Sequence, residues 1–139
     1  MKPLTVRELM TTKSLFEVGE DQSLASAAHR MAWLGCHHLP VTREHEVIGV
    51  VSETDILKWT AAQRPLDGPE GRVALVMSTP PIVATPDERL GEAAARMVAE
   101  RIGCLPVVLH GKLLGMLTTT DLLGGYVSET FEWSTTNRS

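Results

Sequence analysis

The amino-acid sequence predicts a mixed α/β fold, of α+β type, in which two pseudo-symmetric β-α-β-β-α repeats pack sheet to sheet. Three observations lead there. Shifted by 66 residues, the chain matches itself at 13 of 37 consecutive positions (21–57) without a gap, against about two or three expected from ordinary residue usage. Both copies carry an apolar stripe at helical spacing, Leu24, Ala27, Ala28, Met31, Leu34 and Leu90, Ala93, Ala94, Met97. In both copies the stripe leads into Leu-Pro-Val (39–41 and 105–107) and then a second apolar run.

Each repeat is read in order. A lead-in (Val6 to Met10, Val73 to Met77) comes first, aligned by a one-residue slip that matches Val6 with Val73 and Met10 with Met77. A short apolar run follows at Leu15 to Val18 and at Ile82 to Ala84, expected as a strand. Asp21 and Asp87 then stand as N-cap candidates for the helix. The next strand spans Leu39 to Thr42, and Leu105 to Leu109. Pro40 and Pro106 lack a ladder donor and belong where none is needed. Turns at Arg43 to Glu46 and His110 to Lys112 lead to strands Val47 to Val51 and Leu113 to Leu117, and a second helix starts near Ser52 and near Thr118. Gln63 to Arg72, with Arg64-Pro65, Asp67-Gly68-Pro69 and Gly71, has linker chemistry. The expected organisation is therefore repeat 1 at 1–62, linker 63–72, repeat 2 at 73–125, and an extension 126–139 outside the repeat. A repeat of about 55 residues is marginal alone, so the pair is expected to act as one domain.

Bulk properties narrow the function. The 139 residues carry a formal charge of −4 with a pI of about 5.7, which disfavours non-specific nucleic-acid binding. No run of 18 apolar residues and no signal-peptide pattern occurs, and Cys36 and Cys104 are the only cysteines. These features point to a cytoplasmic chain that does not span a membrane. The Asn137-Arg138-Ser139 sequon reads as chance in that context.

The sharpest chemical signal closes each repeat: Gly49-Val-Val-Ser-Glu-Thr-Asp55 and Gly115-Met-Leu-Thr-Thr-Thr-Asp121. Backbone N–H groups at a strand-to-helix passage attract phosphate, hydroxyls add hydrogen bonds, and a carboxylate accepts from a ribose diol. The same Ser/Thr-x-x-Asp spacing also suits a capping box, and the two roles can coexist.

With these residues in view, the chain resembles a tandem pair of cystathionine-β-synthase (CBS) domains, a Bateman module, over about residues 4 to 125. The likeness rests on Met10-Thr11 and Met77-Ser78, the helix stripes, the Leu-Pro-Val strands and the two Gly-x-x-[Ser/Thr]-x-Thr-Asp motifs. It implies a regulatory module binding AMP, ADP, ATP or a related adenosyl ligand in clefts between the repeats, with Mg2+ as an optional companion of a polyphosphate. It implies that Asp55 and Asp121 hold ribose, that Ser52, Thr54, Thr118 and Thr120 are hydroxyl contacts, and that Phe16 and Ile82 lie against adenine. It also implies a homodimer and a regulated protein partner in trans.

The copies differ before the Leu-Pro-Val strand, Cys36-His37-His38 against Ile102-Gly103-Cys104. His37 and His38 are candidates to approach phosphate, most strongly when protonated, so two non-equivalent clefts are expected. A metal site at Cys36, His37, His38 and His45 is disfavoured, because adjacent strand residues face opposite ways and no metal-ligand spacing occurs. Trp33 and Trp59, whose counterparts are Ala99 and Gly125, read as packing or dimer-interface residues. Phosphate-loop and nucleophile-elbow signatures are missing, so no enzyme is expected. The competing readings are a structural homodimerisation module with empty clefts, and a nucleotide-processing enzyme whose visible base would be His37 or His38.

Overall fold

The computed structural model describes the backbone of residues 4–13, 15–62 and 71–136, with side chains described as far as residue 127. Most of the linker at 63–70 and the sequon at 137–139 lie outside the described residues, as do the side chains of Phe131 and Trp133.

In chain order the elements are α1 (Val6–Leu9), β1 (Val18–Gly19), α2 (Leu24–Leu34), β2 (His38–Arg43), β3 (Glu46–Ser52), α3 (Glu53–Ala62), α4 (Val73–Val76), α5 (Leu90–Glu100), β4 (Cys104–Leu109), β5 (Lys112–Thr118) and α6 (Thr119–Thr136). The α+β composition and the repeated order are those expected. One difference is the first strand. It shrinks to two residues in repeat 1, where Val18 and Gly19 pair parallel with Val41 and Thr42. In repeat 2 it is a single parallel bridge, Ala84 to Val107. Pro80, Pro81 and Pro86 remove backbone donors around Ala84, which keeps the pairing short.

The helix starts also differ from expectation. Ser23, not Asp21, caps α2, its Oγ accepting from the Ser26 N–H at 3.1 Å. Arg89, not Asp87, occupies the cap position of α5 and offers no side-chain bond. Backbone does that work instead. The Leu24 N–H donates to Gly71 O and the Leu90 N–H to Leu4 O, each at 2.9 Å. The residues just ahead of the lead-ins thus satisfy helix N-terminal donors that would otherwise be unpaired. Asp87 instead pairs with Arg7 at 3.3 Å on the surface.

Two compact units result, and each draws on distant stretches of chain. The Asp55 unit gathers 15–62, 71–82 and 110–113, and the Asp121 unit gathers 4–13, 83–109 and 114–136. In the Asp55 unit, β2 and β3 form an antiparallel hairpin from His38↔Ser52 to Arg43↔Glu46. Its turn places Glu44 (φ 51°) and His45 (φ 69°) in the left-handed region, the geometry of a two-residue hairpin turn. The turn residues 110–113 count with this unit, Val47 N–H donating to Gly111 O at 3.3 Å and Glu46 pairing with Lys112. Its core is Val18, Leu24, Ala27, Met31, Leu39, Val41, Val51, Ile56 and Val73, the helical stripe meeting the inward strand positions. Trp59 packs on that core, whereas Trp33 is 83% exposed.

The Asp121 unit repeats this plan. Val6, Ala84, Ala93, Met97, Leu105, Val107, Met116 and Leu117 are buried. Among the described residues no buried side-chain nitrogen or oxygen lacks a partner.

The motif glycines have a steric role. The lead-in of each unit adds to the second hairpin strand through paired backbone bonds. Val50 N–H donates to Ser78 O (3.1 Å) and Ser78 N–H to Val50 O (2.8 Å). Likewise Met116 N–H donates to Thr11 O (3.0 Å) and Thr11 N–H to Met116 O (2.8 Å). A Cβ on Gly49 would lie 2.8 Å from Ser78 O, and one on Gly115 would lie 2.8 Å from Thr11 O. Only glycine leaves room for a backbone to come this close.

Candidate functional site

The site in the Asp55 unit forms where β3 passes into α3. Ser52 is the last residue of β3 and its Oγ accepts from the Asp55 N–H at 3.0 Å, so half of a capping box is present. The Glu53 N–H donates to His37 O at 2.9 Å, and the Glu53 carboxylate meets His37 Nδ1 at 2.6 Å. His38 pairs across the hairpin with Ser52. These contacts gather His37, His38, Ser52, Glu53 and Asp55 at one end of the hairpin.

Among the described residues, the half-exposed Asp55 carboxylate accepts no hydrogen bond. Its neighbour His38 is half-buried. Burial pushes the His38 imidazole below the ordinary histidine range, the adjacent His37 adds to this, and the Asp55 charge opposes it. His38 is therefore a neutral hydrogen-bonding ring near pH 7 rather than the cation the sequence suggested for a phosphate. Thr54 is exposed on the first turn of α3. Phe16 lies ahead of β1 and is 44% exposed, and Ile82 is half-buried at the end of the same unit.

A pH dependence follows. The folded pKa of His38 lies below its ordinary value of 6.5, so below that value the unfolded chain binds more protons. This contribution to stability is complete above the ordinary value and is lost as pH falls through the folded value. Chemical denaturation at pH 7.5 and pH 5 checks it: His38→Gln is expected to lose less stability between the two than wild type, and an identical loss would contradict the assignment.

The second motif is built differently. Thr118 N–H and Oγ1–H donate to Asp121 Oδ2 at 2.8 and 3.0 Å, and the Asp121 N–H donates back to Thr118 Oγ1 at 3.2 Å. This is a complete capping box. The Thr11 hydroxyl donates to the other carboxylate oxygen, Oδ1, at 2.8 Å. Thr120 is exposed. Thr119 takes the place of Glu53, its N–H and hydroxyl donating to Gly103 O at 3.0 and 3.2 Å. Both Asp121 oxygens are therefore occupied by protein donors.

The structure thus splits the expected site residues. Phe16, His37, His38, Ser52, Thr54, Asp55 and Ile82 share one unit, and Thr118, Thr120 and Asp121 the other. Sequence reading missed Thr11 and Glu53 as partners of site residues, although Thr11 stood beside the repeated lead-in methionine.

Other chemistry is limited. The Cys36 thiol is pushed up, first by burial and further by the Glu53 charge, against bonds from backbone groups, which leaves little nucleophilic thiolate. Among the described residues no cluster of three His, Cys, Asp or Glu could hold a metal ion, and no helix is long and apolar enough to cross a membrane.

Comparison with known proteins agrees with this architecture. The model of the "CBS domain" family matches residues 6–62 and 73–128. The CBS domain-containing protein YhcV of Bacillus subtilis is 30% identical over 85% of this chain and 82% of its own. Homoserine O-acetyltransferase of Methanosphaerula palustris is 31% identical over 84% of this chain, but over only 23% of its own length. The chain spans about a quarter of such relatives. Among solved structures, the CBS domain pair of protein MJ0100, in complex with 5-methylthioadenosine and S-adenosyl-L-methionine, has a TM-score of 0.83 at 22% identity, covering 92% of this chain and 99% of that one. That likeness carries the fold. CBSX2 in complex with AMP has a TM-score of 0.79 at 26% identity, covering 91% of this chain and 98% of that one.

Proposed function

This chain belongs to the CBS domain family, and from that premise we propose that it is a non-catalytic regulatory module which binds an adenosine nucleotide and signals its presence to a protein partner in trans. The observation that carries the reading is the Asp55 carboxylate, half-exposed and accepting no hydrogen bond among the described residues, beside a half-buried neutral His38. A carboxylate held this way accepts two hydrogen bonds from a ribose diol, which a committed one does only by giving up a protein donor. In this reading Ser52 and Thr54 offer hydroxyls, His37 and His38 face phosphate, and Phe16 and Ile82 meet the adenine. Thr118, Thr120 and Asp121 are the equivalent set of the other repeat. The similarity to an AMP-bound protein at 26% identity supports an adenosine ligand such as AMP, ADP or ATP, with Mg2+ accompanying a polyphosphate.

The domain scheme of two repeats (1–62 and 73–125), a linker (63–72) and an extension (126–139) belongs to the same proposal, as does a cytoplasmic location. The acyl-transfer name carried by some relatives belongs to proteins about four times as long as the matched region. A homodimer is also proposed. Leu123, Tyr126 and Val127, at i, i+3 and i+4 on α6, are each at least 60% exposed and give an apolar stripe for a second copy.

Thermal unfolding with AMP, ADP, ATP, NAD and S-adenosylmethionine tests the ligand. At about tenfold its Kd a bound nucleotide adds roughly 1.4 kcal/mol, visible as a rise of a few degrees. Wild type is expected to gain this with at least one adenosine compound, and Asp55→Ala is expected to lose it. A panel without effect at millimolar concentration would leave the homodimerisation module as the account of this chain.

A further inference from the structure

The two motif aspartates share the Gly-x-x-[Ser/Thr]-x-Thr-Asp context but not their partners: Thr118 bonds the Asp121 carboxylate, Ser52 accepts only from the Asp55 N–H, and the lead-in adds a further difference. Thr11 reaches Asp121 Oδ1 at 2.8 Å. Ser78 holds the equivalent place in the other unit, on the same kind of backbone pair with Val50, yet among the described residues it gives Asp55 no hydrogen bond. The neighbouring Thr79 hydroxyl turns instead to Ile48 O at 2.9 Å.

We infer that Asp121 works as a latch, tying the lead-in at Thr11 to the start of α6, and that a ligand diol competes with this latch. A carboxylate has two oxygens and about four acceptor positions. Asp121 spends Oδ2 on the Thr118 N–H and hydroxyl and Oδ1 on Thr11. Three of these positions are thereby filled, so a diol that donates both of its hydroxyls must displace the Thr11 hydroxyl from Oδ1, and with it one of the ties holding the lead-in beside Met116. Among the described residues Asp55 has no such competitor. The first ligand therefore goes to Asp55, and the Asp121 position fills only when the lead-in loosens. In that way occupancy of the second motif is coupled to release of a segment about a hundred residues away in the chain. The competition rests on the nucleotide reading above; the latch does not.

Two measurements separate them. Amide hydrogen exchange at Met116, whose N–H is bonded to Thr11 O, reads the latch without any ligand. Thr11→Val is expected to speed that exchange about tenfold, as for loss of one charge-assisted hydrogen bond. Thr11→Ser, which keeps the hydroxyl, should stay near wild type, and Asp55→Ala should leave Met116 unchanged. Equal exchange in wild type and Thr11→Val would overturn the latch. Calorimetric titration with AMP reads the competition: one equivalent per chain is expected for wild type and two for Thr11→Val. Two equivalents in wild type would overturn the competition. No binding by any variant would overturn it together with the nucleotide reading, while exchange at Met116 still decides the latch.

Discussion

Valine at position 115 is expected to destabilise the chain by about 3 kcal/mol, the upper end of what overpacking a dense site costs. The reason is the nature of the obstacle. A Cβ on Gly115 meets Thr11 O at 2.8 Å, a backbone atom, with the Met10 sulfur at 3.2 Å behind it. A flexible side chain could swing aside, but the lead-in cannot move without breaking both of its bonds to Met116. Gly49→Val should behave alike, because Ser78 O and the Met77 sulfur surround it at 2.8 and 3.0 Å. Gly124→Ala is the control. That position on α6 has no neighbour within 4 Å of a new Cβ, so the change should stabilise by about 0.5–1 kcal/mol through helix propensity. Denaturant midpoints for the three variants check the contrast. A harmless Gly115→Val would mean that the lead-in does not dock as described.

Removing Arg96 is expected to cost about 2–3 kcal/mol, more than removing Arg30, for which about 1 kcal/mol is expected. The two arginines are repeat counterparts and both brace the helix to the segment before it. Arg30 donates to Glu17 O at 3.1 Å, and Arg96 donates to Val83 O at 2.7 Å. Arg96 also pairs with the Glu88 carboxylate, whose side chain is only 13% exposed. Gln22 stands where repeat 2 has Glu88. Both side chains accept from a turn N–H, Gly19 at 2.8 Å and Thr85 at 3.3 Å, but only Glu88 is charged. Arg96→Leu therefore strands a mostly buried carboxylate, whereas Arg30→Leu strands a backbone carbonyl. The Arg96 hydrogen bond is also the main reason Glu88 titrates below its ordinary value of 4.5, with the Thr85 N–H and the Arg96 charge adding to it against burial. A depressed carboxyl stabilises the fold above its unfolded pKa and loses that contribution as pH falls through the folded value. Acid denaturation should be less steep in Arg96→Leu than in wild type. Equal losses for the two arginine variants would contradict the asymmetry.

Much of this was legible in the sequence. The stripe Leu24, Ala27, Met31 and its copy Ala93, Met97 is buried as its spacing requires, and the hairpin strands fall within a residue or so of expectation. Arg30 and Arg96 were visible as repeated identities, though nothing in a polar helix position announces a carbonyl partner. The caps differ because propensity favours aspartate at a helix start, while here the Ser23 hydroxyl caps α2 and backbone carbonyls of Gly71 and Leu4, just ahead of the lead-ins, accept from the first N–H of α2 and of α5. The largest gap was Asp55 against Asp121. Local sequence makes them equivalent. What separates them is in part Thr118, which bonds the Asp121 carboxylate where Ser52 does not bond that of Asp55, and in part Thr11, 110 positions from Asp121, which no local pattern announces.

The discontinuous make-up of the Asp121 unit also bears on how the chain is made. By the time residue 113 has been synthesised, every segment of the Asp55 unit exists. The lead-in with Thr11 is made before the rest of its unit, and its backbone partner Met116 follows about a hundred residues later. At 5–20 residues per second that is a wait of roughly 5–20 s, and Val6, later fully buried, must itself wait for Glu88, whose carbonyl accepts its N–H. Pairings this distant in sequence form slowly, since the loop must close before the contact is gained. Assembly on the ribosome is thus ordered by chemistry written into the sequence. The unit with the open carboxylate can assemble first, and the latched one closes only when Thr11 has met Met116 and Asp121.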